Sequence, residues 1–373
     1  MRKTFKYRLY PTKLQMSKLN QQLELSRWTY NKTLELRKNY YETENKSLSL
    51  YDTSEFLTKW KLNKTELNNV YSQVLQNVQR RVDFAFKSFF RRVKNKENPG
   101  FPRFKGYGRY DSITYPQTGF RIHENSTYFS KTGRVKTVFH RPVEGIVKTC
   151  TIQKTSTDKW YVCFSCEVEK PAPLTKTGNT IGIDLGLKTF IYASDESTVK
   201  NPRFFKESQV KLAKAQRKLS KAKKGTKKRK KHKKIVAGVH EKIKNKRNDF
   251  CHKIALNLVR KYDIISHEDL NIKSMVEQKK FSKSISDVSW GQLISILSYK
   301  AEEAGKMVIA INPKNTTQQC SGCKSIVPKT LKDRVHSCPK CGLTIDRDLN
   351  ASINIHRLGL ESIEPMALRN PRL

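Results

Sequence analysis

The 373-residue sequence is poor in acidic residues and has no long apolar run. Because no stretch of about 18 apolar residues is present, we expect no membrane-spanning helix. No apolar segment of the kind found in secretory signal peptides follows Met1, so we do not expect secretion either. These absences favour a globular protein of the cytoplasm or nucleus, and a chain of this length is expected to form two or more packed domains.

Basic side chains greatly outnumber acidic ones. Asp and Glu total 33 against 75 Lys and Arg, which gives a formal net charge of +42 at pH 7. A field of this sign attracts polyanions, so nucleic acid is the expected partner, and a solvated, aggregation-resistant surface is the alternative. A protein that lies on a membrane surface would need an amphipathic helix with a broad apolar face, which the sequence does not show.

The positive charge is densest between residues 200 and 247, where 21 Lys or Arg stand against two Glu. We expect the core of this segment, "KAKKGTKKRKKHKK", to be a loop between two helices that is ordered only against phosphates. A nuclear-localisation signal or a solvated tail is the alternative, although helical periodicity resumes at Ile243, Phe250 and Ile254. The candidate nucleic-acid-binding residues are Lys223, Lys224, Lys227, Lys228, Arg229, Lys230 and Lys231.

The first 170 residues show both strand and helix patterns. "KTFKYRLYPT" has the two-residue period of a half-buried strand, and apolar residues at helical spacing predict a helical block over residues 12–95. Short alternating runs return over residues 101–170 and predict a small β-barrel or sandwich. We expect the first strand to pair with these later strands, with the helices inserted between them.

Beyond a predicted linker at residues 170–180, the pattern is that of an α/β domain. Strands are predicted in "TIGIDLGLKTFIYASD", "DIISHEDL" and "KMVIAIN", and a helix in "SWGQLISILSYKAEEAG". A cysteine segment and a short helix that begins near Leu349 follow. The chain is therefore predicted to be a multidomain α+β protein.

Four cysteines have the spacing of a metal site. Two C-x2-C pairs separated by fourteen residues can close a tetrahedral Zn²⁺ site, and four unligated core cysteines are the alternative. We predict one structural zinc, because four thiolates leave no open position for catalysis. Cys163 and Cys166 have the same pair spacing, but on a predicted strand they point to opposite faces. The predicted zinc ligands are Cys320, Cys323, Cys338 and Cys341.

Carboxylates stand on two predicted strands. Asp184 lies between Gly182 and Gly186, and we expect these small neighbours to leave its carboxylate accessible at mid-sheet. A turn residue or a buried, hydrogen-bonded aspartate is the alternative. Glu268 and Asp269 end the strand "IISHED", a position that is also common for ordinary loop carboxylates.

Two further aspartates, Asp346 and Asp348, precede the last predicted helix. N-capping is the alternative role for at least one of them. Three or four converging carboxylates would hold two Mg²⁺ ions about 4 Å apart. That arrangement activates water and stabilises the leaving oxygen in phosphodiester hydrolysis.

In this order the motifs resemble those of a known family. The strand "GIDLGLK", the segment "EDLNIKSM", the cysteine segment "TTQQCSGCKS" and "DRDLNASINI" resemble the RuvC-like nuclease signature of TnpB proteins. These proteins, also called OrfB, are encoded by transposons and are related to type V CRISPR effectors. The opening "KTFKYRLYPTKLQ" and the segment "RNDFCHKIALNLV" extend the resemblance over most of the chain.

The resemblance implies both domains and site residues. The implied domains are a wedge β-barrel at 1–10 and 101–170, a helical recognition insertion at 11–100, an RNase H-like (RuvC) nuclease domain at 171–315 and 344–373, and a zinc ribbon at 316–343. The implied catalytic residues are Asp184, Glu268 and Asp348. Asp346 would be a supporting carboxylate or cap, and Arg334 would position a substrate phosphate.

The activity that the resemblance implies is RNA-guided DNA cleavage. A guide RNA derived from a transposon end would pair with double-stranded target DNA beside a short flanking motif, and two Mg²⁺ would drive hydrolysis. An unguided transposase- or resolvase-type nuclease and a nuclease-dead DNA-binding repressor are the alternatives. We expect a cytoplasmic, nucleoid-associated protein, or a nuclear one in a eukaryotic host. No membrane partner is expected, and no oligomeric state is predicted.

Overall fold

The structure, a computed structural model, describes residues 1–277, 282–330 and 333–363. The chain divides into two compact units, Met1–Glu169 and Lys170–Leu373. Each unit has its own hydrophobic core. Within the described ranges, no helix is long and apolar enough to cross a membrane.

The first unit begins with a strand and continues with helices, as predicted. The helices have well-defined starts: Thr12 accepts a hydrogen bond from the backbone N–H of Gln15, and Ser49 accepts one from that of Asp52, each in a capping box. Apolar residues at helical spacing, such as Leu75, are fully buried. The elements are β1 (Arg2–Tyr10), α1 (Lys13–Glu44), α2 (Leu50–Asn63), a 3-10 turn (Thr65–Asn69) and α3 (Ser72–Lys94).

A seven-stranded antiparallel sheet completes the first unit. Its further strands are β2 (Ser112–Tyr115), β3 (Phe120–His123), β4 (Ser126–Phe129), β5 (Gly133–Val138), β6 (Ile146–Lys154) and β7 (Trp160–Glu167), in the order β2-β6-β7-β1-β5-β4-β3. β1 lies between β5 and β7, which confirms its predicted pairing. The ring of Tyr115 on β2 lies 5.8 Å from that of Phe129 on β4, so the sheet curls into a nearly closed barrel.

Strand β7 also confirms the expected orientation of its cysteines. Cys166 is buried on the same face as Trp160 and Phe164, whereas Cys163 lies on the other face and is half-buried. Burial raises the pKa of both thiols. These two cysteines therefore belong to the packing of the sheet and not to a metal site.

The second unit contains a five-stranded mixed sheet. Its strands are β8 (Thr180–Asp184), β9 (Thr189–Ala193), β10 (Thr198–Lys200), β11 (Ile264–Glu268) and β12 (Met307–Ile311), in the order β10-β9-β8-β11-β12. β8, β11 and β12 are parallel, and β9 and β10 join antiparallel. The prediction of one long strand in "TIGIDLGLKTFIYASD" is wrong, because the chain turns after Asp184 and returns as β9. Asp184 therefore stands at the end of a strand and not at mid-sheet.

Helices surround this sheet, and a small hairpin lies next to the last of them. α8 packs against both α5 and β12. The elements are α4 (Phe204–Lys221), α5 (Lys227–Lys261), α6 (Ile272–Glu277), α7 (Ser282–Val288), α8 (Trp290–Ala304), the strands β13 (Val335–Ser337) and β14 (Thr344–Asp346), and α9 (Arg347–Glu361).

The lysine-rich segment is mostly helical, which corrects the prediction of a loop. Only residues 222–226 separate α4 from α5, and the side chain of Thr226 caps α5 by accepting from the backbone N–H of Arg229 at 3.2 Å. Lysine and arginine are good helix formers, and their charges spread into solvent from different sides of a helix. The guanidinium of Arg229 also donates to the carbonyl oxygens of Leu219 (3.0 Å) and Ala222 (2.8 Å), which closes the turn.

Helix α9 packs very closely against β8 and β11. A Cβ on Gly182 would lie 2.3 Å from the carbonyl oxygen of Ser352, and one on Gly359 would lie 1.8 Å from Oγ of Ser266. Both glycines are therefore needed for close approach of the helix. This corrects the expectation that Gly182 serves to expose the carboxylate of Asp184.

The predicted linker at residues 170–180 has no regular secondary structure, but it is held by the second unit. The N–H of Leu174 donates to the carbonyl of Ala304 at 2.9 Å. The carboxylate of Asp263 accepts from the N–H groups of Thr177 (2.8 Å) and Gly178 (2.7 Å) and pairs with the buried ammonium of Lys306. These contacts hold the pKa of Asp263 well below its usual range, and the pair with Lys306 has the largest effect.

Candidate active site

Two of the predicted catalytic carboxylates lie side by side at the edge of the sheet. β8 and β11 are parallel neighbours in which Ile183 faces His267, so the next residues, Asp184 and Glu268, occupy adjacent strand ends. Neighbouring strands are about 4.8 Å apart. Parallel pairing thus brings together two carboxylates that are more than 80 residues apart in the sequence.

The third carboxylate, Asp348, comes from the first turn of α9, which packs against both of these strands. Asp348 and Asp184 line the same cleft, which has a volume of about 740 Å³. Burial, followed by the negative charges of Glu268 and Asp348, raises the pKa of Asp184 to about 8, while Arg347 acts in the opposite direction. Glu268 and Asp348 therefore both act electrostatically on Asp184.

Asp346 has a local structural role. Its Oδ1 accepts hydrogen bonds from the backbone N–H groups of Asp348 (2.7 Å) and Leu349 (3.4 Å). Asp346 is thus the N-cap of α9, which was the alternative considered for it, and its side chain is exposed. By starting the helix, it fixes the backbone that carries Asp348.

Two arginines flank Asp348. Arg347 donates from Nε (3.0 Å) and Nη2 (2.8 Å) to Oδ1 of Asp348. Nη1 of Arg334 lies 4.0 Å from Oδ2, and the side chain of Arg334 is half exposed to the cleft. The sequence prediction included Arg334 but missed Arg347. The position of Arg347 between the two aspartates of "DRD" was the sequence signal that could have identified it.

Glu268 also has a partner that sequence reasoning missed. The hydroxyl of Thr316, which follows β12, donates to Oε1 of Glu268. Burial raises the pKa of Glu268, and the hydrogen bond from Thr316 opposes that shift. Thr316 is 48 residues away in sequence, so no local pattern could have revealed this contact.

The four predicted zinc ligands form one cluster. Their Sγ atoms all lie within 4.8 Å of one another, and the pairs Cys320–Cys341 and Cys323–Cys338 are each 3.6 Å apart. Tetrahedral coordination with Zn–S bonds of about 2.3 Å separates the sulfurs by about 3.8 Å, which matches the cluster. Hydrogen bonding to Ser325 lowers the pKa of Cys323 to about 6, whereas the neighbouring sulfurs raise the pKa of Cys341 to about 12. The cluster could therefore hold a structural metal ion such as zinc.

Asparagines on α9 fasten the cysteine segment to the helix. Asn350 accepts from the N–H of Ser321 (2.9 Å) and donates to the carbonyl of Gln319 (2.8 Å). Asn354 donates to the carbonyls of Thr316 (3.0 Å) and Gln319 (2.6 Å). Both asparagines are fully buried. These contacts, which the sequence prediction also missed, connect the cysteine cluster to the helix that carries Asp348.

Cationic side chains surround the carboxylate cleft. The cations among its lining residues are Lys188, Arg203, Lys206, Lys329, Arg334 and Arg347. The acidic residues that line it are Asp184, Asp287 and Asp348. A cleft of this kind can attract a polyanion and still present carboxylates to it.

The seven predicted nucleic-acid-binding residues lie elsewhere, at the tip of the α4–α5 hairpin. Lys223, Lys224, Lys227, Lys228, Lys230 and Lys231 are exposed there. Arg229 is half-buried and occupied by the carbonyls of α4. The tip therefore presents a concentrated positive surface that is separate from the residues lining the cleft.

Comparison with known proteins gives consistent matches along the chain. A family model described as "Probable transposase" (OrfB_IS605) matches residues 163–279, one described as "Cas12f1-like, TNB domain" matches residues 290–355, and a "Helix-turn-helix domain" model of the same OrfB family matches residues 1–46. The second of these matches includes the cysteine segment, and the third includes β1.

Full-length relatives are also found. A protein of Streptomyces pristinaespiralis named "Putative RNA-guided DNA endonuclease" is 33% identical over 371 residues, which cover 96% of this chain and 90% of the relative. The protein "Putative RNA-guided DNA endonuclease InsQ" of Escherichia coli K12 is 29% identical over 375 residues, with 95% and 92% coverage. "CRISPR-associated endodeoxyribonuclease Cas12f1" of Sulfoacidibacillus thermotolerans is 28% identical over 243 residues, with 60% and 56% coverage.

The identity of 33% extends over nearly the whole length of both chains. The family models match the regions that hold the carboxylates and the cysteine cluster. The chain therefore belongs to the TnpB (OrfB) family.

Proposed function

We propose that the protein is an RNA-guided DNA endonuclease of a transposable element. The observation that carries this proposal is that Asp184 and Glu268 end adjacent parallel strands and that Asp184 shares a cation-lined cleft with Asp348. Carboxylate groups hold the cations of phosphodiester-cleaving enzymes, and positive charge at the rim attracts the polyanionic substrate. The names of the relatives at 33% and 29% identity support the same activity.

The donor set of the site fits magnesium. Asp184, Glu268 and Asp348 would hold two Mg²⁺, because hard cations bind carboxylate oxygens. Burial and then repulsion by Glu268 and Asp348 raise the pKa of Asp184, and positive charge between the carboxylates would oppose both effects. When bound, the ions would supply activation of water and stabilisation of the leaving oxygen. The contribution of the chain is to fix the three carboxylates on β8, β11 and α9.

The arginines divide two tasks between them. Arg347, which is largely buried and bound to Asp348, orients that carboxylate. Arg334 is half exposed in the same cleft and would bind a phosphate oxygen of the scissile strand. By capping α9, Asp346 fixes the backbone that carries Arg347 and Asp348.

The metal of the cysteine cluster would be structural. Cys320, Cys323, Cys338 and Cys341 would hold one Zn²⁺ with no open position, so the ion would stabilise the fold of the ribbon and take no part in hydrolysis. Residues 316–343 would then be a zinc ribbon within an RNase H-like nuclease domain formed by residues 171–315 and 344–373. The first unit would comprise the wedge barrel and the helical recognition insertion.

Guide RNA and double-stranded target DNA are the proposed partners. Cas12f1, a relative of this chain, carries the name of a CRISPR-associated endodeoxyribonuclease, which supports guided DNA cleavage. The exposed lysines at the tip of the α4–α5 hairpin would bind RNA phosphates with little dependence on sequence. Base pairing between guide and target would then supply sequence specificity, and the protein would read a short flanking motif.

The decisive experiment is purification from cells that carry the native locus, followed by sequencing of the bound RNA. The purified complex is then incubated with matched and mismatched DNA, with Mg²⁺ or with EDTA. A discrete transposon-end RNA that directs Mg²⁺-dependent cutting is the expected result. Asp184→Asn, which is nearly isosteric, should abolish cutting and preserve DNA and RNA binding.

Two other results would replace this proposal. Cutting that needs no RNA would identify an unguided nuclease, the activity suggested by the family description "Probable transposase". Tight RNA-guided DNA binding without any cutting by the wild-type protein would identify a repressor.

A further inference from the structure

Residues 316–321 contact the carboxylate site, the cysteine cluster and helix α9 simultaneously. Thr316 stands at one end of this segment and contacts Glu268, and Cys320 near the other end is part of the cysteine cluster. The segment also bonds to two side chains of α9 through the carbonyls of Thr316 and Gln319. A short stretch of backbone thus joins features that the proposed function treats separately.

Thr316 restrains Glu268 in a way that requires its hydroxyl group. Thr316 is only 2% exposed. Its hydroxyl lies within hydrogen-bonding distance of two acceptors, Oε1 of Glu268 and the carbonyl oxygen of Pro313 at 3.1 Å. A hydroxyl has one proton to donate, and an ionised carboxylate is the stronger acceptor. The hydrogen bond therefore limits the orientations available to the carboxylate of Glu268.

Asn350 and Asn354 give α9 a comparable restraint. They are spaced by four residues and so share one face of the helix. Their side chains bond to the backbone of residues 316–321, and both are 0% exposed. Asn350 is two residues from Asp348, so the position of this carboxylate depends on where the cysteine segment holds the helix.

We propose that Thr316, Asn350 and Asn354 are positioning residues that make cation affinity at the three carboxylates depend on the zinc-loaded ribbon. Thr316 orients Glu268 from one side, and the asparagines hold Asp348 from the other. The ribbon therefore acts on the cation site through these hydrogen bonds, as a preformed support for two carboxylates. This inference rests on the proposed function, because it takes the carboxylates to be the cation ligands.

The first test uses Mn²⁺ as the probe and the full-length, zinc-loaded protein. Binding is followed by electron paramagnetic resonance of free Mn²⁺, with no substrate and no turnover. Thr316→Val, which removes the hydroxyl and keeps the shape, should bind Mn²⁺ about tenfold more weakly, as is usual when a residue that orients a metal ligand is lost. Thr316→Ser should retain wild-type affinity. Thr344→Val changes an exposed threonine of β14 whose hydroxyl lies 3.3 Å from that of Ser337, and it should have no effect.

The second test addresses the asparagines. Asn350→Ala leaves all four cysteines in place, so its zinc content should equal that of the wild type while its Mn²⁺ affinity falls about tenfold. Excess Mg²⁺ should restore part of the cleavage activity lost in Thr316→Val and Asn350→Ala. Cys341→Ser, which removes a proposed zinc ligand, should lower both zinc content and Mn²⁺ affinity. Far-UV circular dichroism establishes that each variant is folded.

Two results would overturn the inference, and they can be told apart. If folded Thr316→Val and Asn350→Ala bind Mn²⁺ as the wild type does, the positioning role is wrong and the proposed endonuclease activity is unaffected. If Asp184→Asn also binds Mn²⁺ as the wild type does, the carboxylates are not the cation site, and both the inference and the proposed metal mechanism are wrong.

Discussion

Replacing Gly182 with alanine should push α9 away from β8. The added Cβ would lie 2.3 Å from the carbonyl oxygen of Ser352 and 2.4 Å from the N of His356, both backbone atoms. Non-bonded carbon atoms are best separated by about 3.5–4.0 Å, so the helix must move by about 1 Å. Overpacking typically costs about 1–3 kcal/mol, and we expect the upper end because backbone atoms cannot rotate away.

This displacement should affect function as well as stability, because α9 carries Asp348. A misplacement of about 1 Å can lower a catalytic rate about a hundredfold. The assays are amide hydrogen exchange across α9, which should become faster, and guide-dependent DNA cleavage. Gly238→Ala is the matched control, since a Cβ there meets no atom within 4 Å. Alanine in place of glycine inside α5 should stabilise the helix by about 0.5–1 kcal/mol. Wild-type exchange and cleavage in Gly182→Ala would refute the packing argument.

Three further predictions concern other parts of the second unit. Asp263→Ala leaves the buried ammonium of Lys306 without its carboxylate and should destabilise the unit by about 3 kcal/mol in urea unfolding. Because the folded-state pKa of Asp263 is depressed, this carboxylate stabilises the wild type above a pH of about 4, and the stabilisation is lost as the pH falls towards the folded-state pKa. An acid titration in which the wild type and Asp263→Ala lose stability in parallel would contradict this. Arg229→Ala removes two hydrogen bonds to carbonyls and should cost about 1 kcal/mol of local stability, seen as faster amide hydrogen exchange at residues 222–226. Lys228→Ala should leave exchange unchanged and reduce the salt dependence of RNA binding by about one phosphate contact. If both variants weaken RNA binding equally and neither changes exchange, the turn does not need Arg229. Removal of metal with a strong chelator should release one zinc per chain and make four thiols reactive. The thiol of Cys251, whose pKa burial raises to about 11, should stay protected. Elemental analysis and thiol titration measure these changes, and a protein without zinc would contradict the prediction.

The parts of the site that could be predicted from sequence are those with a short-range pattern. The paired cysteine spacing requires only that each C-x2-C turn back on itself, and the four Sγ atoms do lie together. Glu268 was predicted at the end of an apolar strand, whereas the end of β8 at Asp184 was not predicted; parallel pairing aligns both residues at one edge of the sheet. The capping alternative for Asp346 was likewise visible from its position before a helix.

The residues that sequence reasoning missed act over long separations or between backbone atoms. Thr316 reaches Glu268 only because β12 lies next to β11, a pairing that no local pattern specifies. The reason for Gly182 depends on the approach of α9, which comes 170 residues later in the chain. The loop prediction for the lysine segment failed for another reason. Charge repulsion favours a loop there, but exposed lysines on a capped helix can separate their charges, so helix propensity prevails.

The central position of β1 has a consequence for how the protein is made. Residues 2–10 leave the ribosome before their partners, which lie in β5 and in β7, and β7 ends at Glu167. Helices α1 to α3 involve mostly local contacts and can form early, whereas contacts of long sequence separation form slowly. β1 therefore cannot complete its pairing until β7 has been synthesised. Pausing of translation or early chaperone release before residue 167 would expose its buried face of Phe5, Tyr7 and Leu9 to aggregation.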